Sequence, residues 1–341
     1  MVDNKIKDEF KDKAGKIPKS GLPEYSYFPN GKGIAAALQV DTSKGNRGEF
    51  LPPVKDDLTY KTPELTLTIQ DFYKHLTHYS AVTRMVFSTV LRYWQQQKSP
   101  TIKIPYYEYA DLRGLKKQSQ ARDQLLEQLE LLKIVWFKFD DVEIKTAKNG
   151  KKYRDPVTRE FASVQYLGKK RGCVEIELGN KFYHYLLELD RLGQLSTMPE
   201  TYYKLSPRDD DLAIWLIHYF TGLERIQAGQ QNFHKHSIET ILEHSELKTA
   251  DQLKMENNRH YDRFIMQPIK RALQRLIEIG YLTGYTYREK SGKKADYKRL
   301  SIDYEYFKTL NLHIETTAPT NAHLIECKDK QKKKAEKKKK T

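Results

Sequence analysis

The chain has 341 residues, with 60 Lys and Arg against 45 Asp and Glu, a formal charge of +15 and a pI near 9.4. That length suits two domains of ordinary size, and the charge points to a polyanionic partner. No apolar run approaches the ~20 residues that span a bilayer, and MVDNKIKDEFKDKAGK lacks the apolar stretch of a signal peptide. A cytoplasmic, bacterial location with no membrane partner is the expectation.

The charge is unevenly placed. Nine Lys between Lys328 and Lys340 face only Asp329 and Glu336, so +7 sits in one short run. Residues 313–341 therefore read as a basic, solvated tail. Cys173 and Cys327 are too few for a disulfide framework or a zinc site. No phosphate-binding Gly-x-x-x-x-Gly-Lys-Ser/Thr loop occurs, and no cofactor is expected.

Residues 1–63 are polar and broken by Gly and Pro from Gly21 to Pro63, which predicts an arm with few fixed contacts. Val82, Val86 and Val90 then mark one face of a helix ending near Trp94. A short helical segment stops at Gly114, and a third helix, capped by Ser119, places Leu125, Leu129 and Leu132 inward. Strand patterns follow at 134–139, 161–167 and 173–178.

The same order returns downstream. LAIWLIHYF (212–220), HSIETILEHSEL (236–247) and residues 258–279 restate the three helices, and residues 280–304 read as strand, turn and strand. GNKFYHYLL after the first hairpin corresponds to DYEYFKTL after the second. The fold class this predicts is α+β, with two tandem winged-helix domains over 64–195 and 196–312.

The third helix of the second unit carries Arg259, Arg263, Lys270, Arg271 and Arg275 against Asp262 and Glu278. With Ile265, Ile269, Leu273 and Leu276 facing inward, Arg263, Gln267, Lys270, Arg271 and Gln274 share the outward face. Arg and Gln are the side chains that make bidentate contacts to guanine and adenine edges in the major groove. Pro268, which lacks an N–H, should kink this helix or restart it. Basic hairpin tips add backbone contacts: Lys148, Lys151, Lys152 and Arg154 in the first wing, and Lys290, Lys293 and Lys294 in the second. The corresponding helix of the first unit, with Arg122 against Asp123, Glu127 and Glu130, is a poor match for phosphate.

Catalytic and metal signatures are weak. His234-Lys235-His236 lacks the apolar residue that nickase metal sites hold between their two His. His260 and Arg263 match a recombinase spacing, with Tyr304 and Tyr306 as notional nucleophiles, yet the companion motifs are missing. Neither a metal site nor a catalytic residue is assigned.

Tyr261 to Glu278 (YDRFIMQPIKRALQRLIE), followed by a strand pair with a basic turn, resembles the second winged helix of plasmid replication initiators that bind iterated origin repeats. Phe264, Pro268, Ile269 and Leu276 occupy the matching places, and the tandem arrangement is similar over roughly residues 64–310. The first wing is longer than that family's compact pattern. The resemblance implies binding to direct repeats of double-stranded DNA and recruitment of a host helicase and helicase loader. It also implies a dimer-to-monomer switch through the first winged helix, hence a homodimer through that domain. A winged-helix transcription regulator, or a Tyr-dependent nickase or recombinase, are the alternatives that the residues leave open.

Overall fold

The computed structural model describes residues 25–29, 32–40, 42, 49–61, 65–75, 78–139, 142–145, 152–155, 159–162, 164–191, 195–227, 234–245, 247, 253, 260–300 and 303–316. The chain separates into two compact units that meet between Lys204 and Leu205, nine residues beyond the boundary read from sequence.

In the first unit, β1 (Tyr25–Pro29) and α1 (Lys32–Gln39) precede a meander of β2 (Glu49–Val54), β3 (Asp57–Lys61) and β4 (Thr66–Ile69). A short α2 (Phe72–His75) leads to α3 (Ala81–Gln97), which Thr83 starts by accepting the Ser80 N–H at 3.1 Å. Then come β5 (Thr101–Pro105), α4 (Tyr106–Arg113) and α5 (Gln118–Ile134). Gly114, at φ +62°, closes α4 while the Leu115 N–H returns to the Ala110 carbonyl at 2.9 Å. That pairing requires a left-handed residue at the turn.

Next are β6 (Val135–Phe139), β7 (Val142–Lys145), β8 (Lys152–Asp155), β9 (Arg159–Ala162), β10 (Val164–Lys170) and β11 (Cys173–Leu178). The unit ends with α6 (Asn180–Arg191), β12 (Leu195–Pro199) and a 3-10 turn at Glu200–Lys204.

The expected loose arm over 1–63 is corrected where it is described. β1 pairs with β12, β2 and β3 join the five-stranded sheet β2-β3-β4-β6-β9, and α1 buries Ile34, Ala37 and Leu38. Pro29, Gly33, Pro52 and Pro53 lie within these elements instead of interrupting them. One consequence is that α3 is buried on nearly every side from Ala81 to Trp94, polar residues included, where a single apolar stripe was expected. Arg84 is fully buried and donates to the Gln39 carbonyl at 3.3 Å, which replaces the water it loses.

The strand read at 161–167 is two strands in different sheets: β9 pairs with β6, whereas β10 pairs with β11. The three-stranded sheet β10-β11-β5 completes the helical core. Phe87 of α3 stacks on Phe137 of β6 at 5.2 Å, and Ile102, Ile104, Leu125, Leu129, Val174 and Ile176 are buried.

The second unit runs α7 (Asp211–Gln227), β13 (Lys235–Ser237), α8 (Ile238–His244), a π turn at Asp262–Met266, α9 (Gln267–Glu278) and β14 (Leu282–Arg288). It continues through α10 (Tyr297–Leu300) and α11 (Tyr304–Lys308) to β15 (Asn311–Thr316). Its sheet is β13-β15-β14.

The duplication is thus visible in connectivity. In each three-helix repeat a strand lies between the first two helices, β5 between α3 and α4 and β13 between α7 and α8, and it pairs with the last strand of the wing: β5 with β11, and β13 with β15. Two details differ from the sequence expectation. The return strand of the second wing is β15, because Tyr297–Leu300 and Tyr304–Lys308 are helical, so DYEYFKTL lies inside the wing and not after it. The fold accordingly runs through Thr316, past the expected start of the tail at residue 313. In the first unit α5 begins after Lys117, which places Ser119 inside the helix and not at its cap.

Candidate nucleic-acid interface

Pro268 sets the geometry of the helix expected to read bases. It has no N–H for the Phe264 carbonyl and its ring crowds that group. The backbone widens into a π turn, in which the Gln267 N–H donates to the Asp262 carbonyl, and a regular helix starts at Gln267. At the far end Gly280, at φ +80°, lets the Tyr281 N–H return to the Leu276 carbonyl at 3.0 Å.

Burial along this element is strictly sided. Ile265, Met266, Ile269, Ala272, Leu273 and Leu276 are buried, whereas Arg263, Gln267, Lys270, Arg271 and Gln274 are exposed. Among the described residues no carboxylate pairs with Arg263, Lys270 or Arg271. Arg263 lies 5.6 Å over the Phe264 ring, and Gln267 donates to Asp262 Oδ1 at 3.3 Å. The exposed stripe is cationic and rich in side-chain amides, which suits the edges and phosphates of a DNA groove.

Arg275, one of the residues expected to face DNA, is engaged within the protein. Its Nε donates to Asp210 Oδ2 at 3.0 Å and an Nη to Glu278 Oε2 at 3.1 Å. Both carboxylates hold its pKa above the usual guanidinium value, Asp210 contributing most. Residue 275 sits at the margin of the stripe, half-buried, so the nearer partner is the protein's own carboxylate.

The second wing turns tightly. The Glu289 N–H donates to the Lys293 carbonyl and the Gly292 N–H to the Glu289 carbonyl, each at 2.8 Å, with Gly292 at φ +88°. Lys290, Lys293 and Lys294 project from this turn, all exposed. Tyr306 of α11 braces it: its hydroxyl donates to Glu289 Oε1 at 3.0 Å and accepts the Asp296 N–H at 2.9 Å, while Arg299 stacks 4.1 Å over the ring. The notional nucleophile Tyr306 is thus a structural brace, and Tyr304 stacks on Tyr261 at 4.9 Å.

In the first unit the basic segment expected at the wing tip belongs to the separate hairpin β7-β8, which carries Lys152 and Arg154 on β8. Lys148, Lys151 and Arg259 lie outside the described residues. By connectivity the wing is β10-β11, whose two-residue turn is Arg171-Gly172. Lys169, Lys170 and Arg171 there are exposed cations that sequence reasoning does not single out, although a run of three basic residues before Gly between two strand patterns is a usable signal. Lys170 donates to Glu175 at 2.9 Å and, with Lys103 at 3.6 Å, holds that carboxyl below its usual range. The exposed side of α5 instead borders an open groove of about 500 Å³, lined by Ser119, Gln120, Asp123, Gln124, Glu127 and Gln128.

His236 is buried against Phe220 and Tyr219, at 4.7 and 5.6 Å, and burial lowers its pKa to about 3, with His234 and His313 adding to the effect. Among the described residues no group of three or more His, Cys, Asp or Glu is placed to hold a metal. No helix among them is long and apolar enough to cross a membrane.

Residues 70–197 match the family described as initiator replication protein, WH1. No curated protein matches the sequence. The Pi initiator protein, solved in complex with iteron DNA, is similar at 11% identity and a TM-score of 0.47, over 88% of this chain and 100% of that one. Domains 2 and 3 of RctB are similar in two structures. One has 12% identity, a TM-score of 0.44 and coverage of 84% of this chain and 98% of that chain; the other has 10%, 0.40, 86% and 99%. The sequence resemblance rests on Tyr261 to Glu278, whereas the family match falls on the other unit.

Proposed function

We propose that this chain, whose residues 70–197 match the family described as initiator replication protein, WH1, binds double-stranded direct repeats at the origin of a plasmid or other mobile element. The observation that carries this reading is the sided helix of the second unit, with Arg263, Gln267, Lys270, Arg271 and Gln274 exposed opposite a buried apolar face. These five side chains read base edges and phosphates. Lys290, Lys293 and Lys294 grip the backbone from the wing and set the register without specifying sequence.

The first unit contributes differently. Its α5 presents carboxylates where α9 presents guanidinium groups, so it works through backbone contacts from Lys169, Lys170 and Arg171, or through a protein interface. Recruitment of a host helicase and its loader, and a homodimer through this unit, belong to the same reading. So does action without an active site of its own, in association with the plasmid and nucleoid.

Footprinting with the full chain on the DNA flanking its own gene tests the proposal. Protection of several direct repeats beside an AT-rich tract is the expected result. Protection of one palindrome over a promoter instead would make the protein a transcription regulator.

A further inference from the structure

Tyr297 is 62% exposed, which is unusual for an aromatic side chain placed on a short helix inside a packed wing. Its neighbours in the chain are buried or engaged. Ala295 is 5% exposed and its N–H donates to the Tyr287 carbonyl at 3.0 Å, Leu300 is 8% exposed, and Asp296 Oδ1 accepts the Lys298 N–H at 2.9 Å. The backbone on both sides of the ring is therefore fixed, and the ring is presented from a rigid base. Its hydroxyl is near enough to those of Tyr285 and Tyr287 to add to the upward shift that burial gives them. Among the described residues no aromatic ring packs on it.

The surroundings are cationic. Lys290, Lys293, Lys294 and Lys298 are all exposed. Of the nearby carboxylates, Glu289 takes the Tyr306 hydroxyl, Asp303 takes Arg299 at 2.8 Å, and the exposed Asp296 accepts the Lys298 N–H. An open aromatic face amid ammonium groups that outnumber the exposed carboxylate of Asp296 is the combination that holds a single strand. The ring stacks on a base of any identity and the cations follow the backbone. Duplex DNA offers no such base, because its rings are already stacked.

We propose that Tyr297, with Lys293 and Lys294, forms a binding site for single-stranded DNA on the second wing, with one unpaired base stacked on the Tyr297 ring. The site is distinct from the exposed stripe of α9 and requires no particular base sequence. In a protein that binds an origin, it would hold a strand once the duplex opens.

The test uses the full chain and fluorescence anisotropy at one fixed salt concentration, with labelled oligothymidylate and oligoadenylate as single strands and a mixed-sequence duplex as the reference. Tyr297→Ala is expected to weaken binding to both single strands about tenfold, which lies within the range of one lost base stack, while duplex affinity stays within about twofold. Tyr297→Phe and Tyr297→Trp should retain single-strand binding, and the Trp variant should show fluorescence quenching when oligothymidylate is added. Unchanged single-strand affinity in Tyr297→Ala would overturn the proposal, as would an equal loss on duplex and single strand in a variant whose thermal unfolding is unchanged. Because the duplex arm is read separately, failure of duplex recognition by α9 leaves this result interpretable, and the reverse also holds.

Discussion

Arg275 and Asp210 form an ion pair at 3.0 Å that ties the cationic helix α9 to the start of α7. Asp210 also accepts the Ser206 N–H at 2.8 Å, and its own carbonyl accepts the Ile214 N–H in the first turn of α7. A residue expected from sequence to face DNA thus joins two helices of the second unit.

Arg275→Ala and Asp210→Ala should each lower stability by about 1 kcal/mol, the scale of a partly exposed pair with good geometry, and the double variant should cost less than their sum. Urea unfolding of the single and double variants measures this. Full additivity would show that the pair contributes nothing.

Arg263→Ala, Lys270→Ala and Arg271→Ala should behave differently, because these side chains face solvent. Wherever one of them meets a base edge, its loss should cost ~1 to 3 kcal/mol in binding to the cognate repeat with unfolding unchanged. Electrophoretic mobility shifts on repeat and scrambled duplexes separate the two effects, and equal losses on both duplexes would assign that residue to phosphate.

The wing lysines predict a salt effect. Changing Lys290, Lys293 and Lys294 together to Gln should weaken binding to all duplexes alike and reduce the slope of log K against log salt by up to about 3, one for each phosphate that a lysine no longer neutralises. A titration from low to moderate salt reads this directly. An unchanged slope would place the wing away from DNA.

His236 makes stability depend on pH. Its pKa is about 3 when folded, against about 6.5 in an unfolded chain. Between these values the unfolded chain binds a proton that the folded one excludes. Its contribution is therefore complete above pH 6.5 and is lost as pH falls toward 3, at up to about 1.4 kcal/mol per pH unit. His236→Phe should flatten the curve in that window, as read by urea unfolding at a series of pH values. An unchanged slope would mean that another group is responsible.

Arg92 Nη2 lies 2.7 Å from Glu200 Oε1, and Arg92 is 2% exposed, so Glu200→Ala leaves a guanidinium buried without that partner. Such a loss costs about 3 kcal/mol when the pair is fully buried, and somewhat less here because Glu200 keeps some access to water. The melting temperature of the variant checks this.

The sequence by itself determined the three helices of each repeat, their order and their repetition, since the spacing of Ile265, Ile269, Leu273 and Leu276 is a local property of a chain that buries one face. It also determined which side of α9 is cationic, because residues three and four apart share a side whatever the fold around them. Tertiary structure alone decided which strands pair. Nothing in the pattern near Phe161 says that it joins β6 while Val164 joins β11, because pairing is set by partners far away in the chain. It likewise decided that Arg275 meets Asp210, that Arg84 lies beneath the segment expected to be loose, and that Tyr306 braces a wing. A charged or hydroxyl side chain carries its chemistry in the sequence, but its partner is whatever group the fold places within about 3 Å.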